Sequence, residues 1–125
     1  MEDARRILGA DKIVGATAKT VEQAQLAYQQ GADYLGCGAV YPTTTKVRTV
    51  LTPVETIRQI CESVPIPVNA IGGLNRDNLE VLRGVSIQGI CVVSAIMKAA
   101  DPALETRLLR EAVRELLEDA PCTAH

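Results

Sequence analysis

The chain has 125 residues, 47% of them hydrophobic and 22% charged, with a formal net charge of −2. That length suits one domain with a real core, and the near-neutral balance gives no electrostatic reason to expect nucleic acid or an anionic membrane as a partner. No apolar run approaches the roughly 18 residues of a membrane span, and the start, MEDARRILG, is charged rather than signal-like, so the expected location is cytoplasmic.

Residues 2–9 read as a helix closed by Gly9. The apolar run Ile13-Val14-Gly15-Ala16 predicts a first strand. Thr20 then opens a helix through a capping box with Gln23, with Val21, Ala24, Ala27 and Tyr28 at helical spacing and Gly31 at its end. The second strand is expected over 33–38, too short and glycine-rich for a buried helix. After the polar segment 41–52 comes a helix with Thr52 as N-cap, Pro53 at the first helical position and Glu55 completing a second capping box. Its apolar stripe is Val54, Ile57, Ile60 and Cys61.

Pro65 and Pro67 force an extended lead into a third strand, Val68-Asn69-Ala70-Ile71, which ends at Gly72-Gly73. Asn75 is expected to cap a short helix carrying Leu79, Val81 and Leu82. The fourth strand is Gly89-Ile90-Cys91-Val92-Val93. A last helix starts at Asp101-Pro102 with Leu104, Leu108, Ala112 and Leu116 on its buried side. Residues 1–118 thus form one α/β unit, and 119–125 are expected to be a disordered tail.

Helix, then four strand–helix units, indicates a parallel sheet covered by helices. The repeat fits half of a (β/α)8 TIM barrel, a fold that takes about 250 residues when complete. A doubly wound sheet has the same alternation, although no GxGxxG follows the first strand to suggest a dinucleotide site. Cys37, Cys61, Cys91 and Cys122 form no CxxC pair and read as reduced thiols. The sole histidine, His125, is the last residue, so no zinc site is expected.

In barrels the chemistry lies in the loops after the strands. After the second strand, Pro42-Thr43-Thr44-Thr45-Lys46 offers hydroxyls, backbone N–H groups and an ammonium, a set suited to phosphate or pyrophosphate and also compatible with a solvated turn. After the third, Gly72-Gly73 lets backbone approach an anion, or simply makes a tight turn. After the fourth, Val93-Ser94 places a small hydroxyl at a strand end, where it could equally cap a helix.

These segments together resemble thiamine-phosphate synthase (thiamine-phosphate pyrophosphorylase). The likeness rests on Ile13 to Thr20, on Gly31-Ala32-Asp33-Tyr34-Leu35-Gly36-Cys37-Gly38 leading into Val40 to Lys46, on Ala70-Ile71-Gly72-Gly73-Leu74, and on Gly89 to Ile96. The resemblance implies a transferase of thiamine biosynthesis that joins hydroxymethylpyrimidine pyrophosphate to thiazole phosphate with Mg²⁺. It implies that Thr43, Thr45, Gly73, Val93 and Ser94 hold the thiazole phosphate, and that Lys46 is the catalytic contact to the departing pyrophosphate. Thr17 stands where the family has a serine near the pyrophosphate, and Lys19 replaces its usual histidine. Thiazole tautomerase shares the IGG and SAI segments but resembles this chain less at 42–46.

The family's Mg²⁺-binding aspartates belong to a first half-barrel that this sequence does not display, so no metal ligand is assigned here. Asp3 falls too late for that role, and Asp33 and Asp77 suit structural ones. The expectation is a synthase half incomplete by itself. A non-catalytic phosphate-binding or assembly module is the alternative. Four strands would leave two open edges and an apolar inner face, so a homodimer or a complementary half-barrel is the expected partner.

Overall fold

The computed structural model describes residues 2–41 and 52–118. Four strands, β1 (Gly15–Ala18), β2 (Tyr34–Cys37), β3 (Val68–Ile71) and β4 (Gly89–Cys91), alternate with helices. The helices are α1 (Glu2–Leu8), α2 (Val21–Gln29), α3 (Val54–Ser63), the single turn α4 (Ser94–Met97) and α5 (Pro102–Glu118), with a 3-10 turn at Leu79–Leu82. All pairings are parallel and the strand order is β1-β2-β3-β4. A doubly wound sheet needs a reversal of strand order; here every unit adds on the same side, as in a barrel wall. The fold is therefore α/β, with the four parallel strands and covering helices of half a (β/α)8 barrel.

Strand alternation sorts the two faces. In one register row, Ala18, Cys37, Ala70 and Ile90 lie on the helix side, with Leu35 and Val68 one pleat below. Helix α3 buries Ile57 and Ile60 completely against them, and Leu82 and Val85 close the core beyond β3. Each such side chain contributes roughly 1.5–3 kcal/mol through removal from water. The opposite face carries Thr17, Gly36, Asn69 and Gly89 in the next row. Small and polar residues in that row correct the expectation of an apolar inner face; only Tyr34 and Ile71 present large apolar surface there, each 39% exposed.

At the strand N-termini Arg5 ties the first units together. Its guanidinium donates to the carbonyls of Gly9, Lys12 and Gly31 and to Asp33 Oδ2 at 2.8 Å. The same carboxylate oxygen accepts from the Val14 N–H at 2.8 Å. Asp33 is thus a structural carboxylate, as the sequence suggested. This bond sets the start of β1: Val14 pairs with Asp33, the strand runs two residues later than predicted, and Ile13 is left 80% exposed.

Helix α2 matches its reading closely. The Gln23 N–H donates to Thr20 Oγ1, while Gln23 Oε1 accepts from the Lys19 N–H, one residue before the predicted partner. At the other end the Gly31 N–H donates to Tyr28 O and the Ala32 N–H to Ala27 O, a Schellman closure.

Other expectations change. Thr52 is not a side-chain cap: α3 begins after Pro53 without one, and Thr52 is buried with its hydroxyl turned to Gly38 O. The helix expected after Asn75 contracts to the 3-10 turn at Leu79–Leu82, although Asn75 Oδ1 accepts from the Asp77 N–H in a cap-type bond. β4 ends at Cys91 rather than Val93. On α5 the buried side centres on Leu109 and Leu116, and Leu104 is exposed. Among the described residues no helix is long and apolar enough to cross a membrane. Residues 119–125, read as a tail, lie outside the described residues.

Candidate functional site

Parallel strands bring their C-terminal loops to one end of the sheet. There the chain leaves β2 through Gly38 and passes over the end of β3. The Val40 N–H donates to Ile71 O at 3.0 Å and the Tyr41 N–H to Gly72 O at 3.1 Å. Contact is so close that a side chain at Gly38 would fall on the Ile71 carbonyl, and one at Gly72 would meet Ala39 Cα at 2.5 Å. Gly72 and Gly73 also take φ of 107° and 66°, a region that L side chains rarely adopt. The glycine pair is therefore required twice over at Gly72, by backbone conformation and by space.

Thr52 returns to the same place. Its N–H donates to Ala39 O at 2.8 Å and its hydroxyl to Gly38 O at 2.7 Å. Lys19, from the end of β1, donates from Nζ to the same Gly38 carbonyl at 2.6 Å. An ammonium is thus brought to the mouth of the sheet. Beyond β3, Asn78 donates from Nδ2 to Gly73 O at 2.8 Å and accepts from the Asn75 N–H at 2.9 Å. The Tyr41 hydroxyl reaches Asn78 O at 3.3 Å.

Of the residues singled out in the sequence, Gly73 and Ser94 follow adjacent strands at this end. Ser94 begins α4, with its carbonyl accepting from the Lys98 N–H at 3.0 Å, and Val93 just before it is exposed. Thr17 lies within β1, not in the loop after it, and faces the side opposite the helices beside Gly36. Thr43, Thr45 and Lys46 fall outside the described residues. Sequence reasoning missed Asn78 as the brace of the glycine turn; an asparagine five residues after a glycine carries no general signal of such a bond.

Cys37 and Cys61 are not nucleophiles. Burial, with Cys61 nearby, pushes the Cys37 thiol up to about 12, and burial pushes Cys61 up to about 11, so neither is a thiolate near neutral pH. Among the described residues no group of three His, Cys, Asp or Glu side chains could hold a metal ion. Asp33 is occupied by Arg5 at the far end of the strands, and Asp101 accepts from the Leu104 N–H at the start of α5.

A braced glycine pair thus follows β3 and a serine follows β4 at the same end of the sheet. Residues 1–96 match the family model described as thiamine monophosphate synthase. The chain belongs to this family. Thiamine-phosphate synthase 2 of Streptococcus pneumoniae serotype 4 is 46% identical over 114 residues, which are 91% of this chain and 54% of that protein. Thiamine-phosphate synthase of Lacticaseibacillus paracasei is 42% identical over 113 residues, 90% of this chain and 53% of its own.

Among solved structures, thiamine phosphate pyrophosphorylase from Pyrococcus furiosus superposes with a TM-score of 0.83 at 42% identity, covering 93% of this chain and 55% of that one. The Amycolatopsis orientalis BexX/CysO complex, at 20% identity and a TM-score of 0.73, shares the fold. The chain spans about half the length of the thiamine-phosphate synthases it matches.

Proposed function

We propose that this chain supplies the phosphate-gripping face of a thiamine-phosphate synthase, the enzyme that joins hydroxymethylpyrimidine pyrophosphate to thiazole phosphate. The observation that carries the reading is the Gly72-Gly73 turn, held by its carbonyls at the end of β3, in a chain 46% identical to a synthase. In this reading Gly73, Val93 and Ser94, with Thr43 and Thr45, hold the thiazole phosphate through N–H groups and hydroxyls. Lys46 meets the departing pyrophosphate, where an ammonium opposes the charge that builds in the transition state. Thr17 keeps the hydroxyl that the family places near the pyrophosphate. In the same reading the carboxylates for the Mg²⁺ implied by the resemblance come from the other half-barrel.

In this reading the activity draws on a second half-barrel, for which another copy of this chain and a complementary polypeptide are the proposed sources. A cytoplasmic location belongs to the same reading. The test uses purified chain with both substrates and Mg²⁺, alone and mixed with the remaining half of a full-length relative. The chain alone should give negligible thiamine phosphate, and the mixture should form it. Lys46→Ala should then lower turnover by about a hundredfold. Robust product from the chain alone would overturn the incompleteness. A mixture that stays inactive while the chain still binds phosphate would leave a binding module, the second reading.

A further inference from the structure

We propose that Asn78 is a positioning residue of the phosphate site, fixing the direction of the Leu74 N–H after β3 beside a Gly73 N–H that the loop leaving β2 aims; this rests on the phosphate reading above. A trans peptide points its C=O and the following N–H in opposite directions, so pinning one carbonyl aims the next N–H. Two consecutive carbonyls are pinned here. Gly72 O accepts from the Tyr41 N–H at 3.1 Å, which orients the Gly73 N–H. Gly73 O accepts from Asn78 Nδ2 at 2.8 Å, which orients the Leu74 N–H. Neither peptide is cis.

With φ positive at both glycines, this turn is intrinsically among the least restricted in the chain. It needs bracing from outside. The amide of Asn78 is suited to the task because its two ends do different work: Nδ2 holds Gly73 O, and Oδ1 takes the Asn75 N–H at 2.9 Å. One side chain thereby spans the turn from residue 73 to residue 75. The Tyr41 hydroxyl on Asn78 O, together with the Tyr41 N–H on Gly72 O, joins this brace to the loop leaving β2. The donor pair is therefore set before an anion arrives, and a ligand with phosphate oxygens meets N–H groups that need no reorganisation.

The experiment titrates inorganic phosphate into ¹⁵N-labelled chain and follows the amides of Gly73, Leu74 and Ser94. In the parent all three should shift with one affinity. In Asn78→Ala the affinity should fall by at least about tenfold, the equivalent of one hydrogen bond to a charged group. The Leu74 response should be lost while Gly73 and Ser94 still respond to phosphate at high concentration. Unchanged affinity and shifts would overturn the proposal. Loss of all three responses together would also overturn it, since that marks a general structural role. If the alanine variant does not fold, Asn78→Ser supplies the same comparison. A parent chain in which none of these amides responds would instead sink the phosphate reading itself.

Discussion

Asp33 and Arg5 show how single side chains set the frame far from the site. The Arg5 guanidinium bonded to Asp33, with the Val14 N–H beside it, holds this carboxyl below its ordinary value of 3.8. A carboxyl whose folded pKa is depressed stabilises the fold above its unfolded value and loses that contribution as pH falls through the folded one. Asp33→Asn, which keeps an acceptor for Val14, should therefore unfold at a lower temperature than the parent at pH 7. The gap should hold down to about pH 5 and close toward pH 2. Thermal unfolding followed by circular dichroism across that range checks it, and a gap that persists undiminished at pH 2 would contradict the assignment. The same residue-scale logic makes Cys37 a spectator: fully buried, with its thiol raised to about 12, it is a packing group under β2.

At the scale of elements, the segment between β2 and α3 is secured at both of its described ends. Tyr41 is held on the turn after β3, and Thr52 on Gly38 and Ala39. Thr52 is 2% exposed, so its hydroxyl is a buried polar group whose value lies in its bond to Gly38 O. Thr52→Val preserves shape and deletes that donor. It should cost about 1–2 kcal/mol, toward the low end because Lys19 still bonds the same carbonyl. Urea unfolding measures the loss, and a neutral effect would mean the hydroxyl does not brace the loop. The sequence pattern Thr-Pro-Val-Glu is locally indistinguishable from a capping box. What displaced Thr52 from that role was the approach of the loop after β2, a contact of residues 14 apart. The helix expected after Asn75 is present as the 3-10 turn at Leu79–Leu82.

At the scale of the whole molecule, β1 and β4 are the outer strands of a sheet whose order equals chain order. A sheet in this order is like a segment of barrel wall, and an exposed strand edge carries unpaired N–H and C=O groups. Two copies related by a two-fold axis could set β4 of one beside β1 of the other twice, giving eight strands. The chain should therefore have twice its 13.4 kDa mass in solution. Light scattering at micromolar concentration decides this, and a monomeric mass would favour a complementary half-barrel as the partner. The face that such closure would enclose holds Thr17, Asn69 and two glycines in one row. That composition accords with an interior built to surround polar groups as well as to pack.

The sequence by itself determined the order of the four strands and of helices α1, α2, α3 and α5, the caps at Thr20 and Gly31, the apolar stripe of α3 and the family. Each of these depends on local spacing or on a contiguous motif, so one dimension carries it. Only the tertiary structure decided that the sheet is a barrel wall, because helix alternation is common to both architectures and strand order is not. It also decided that Thr52 and Asn78 brace loops and that Thr17 lies within a strand. Those roles arise where segments remote in sequence meet at the end of a parallel sheet, and no periodicity along the chain records which segments will meet.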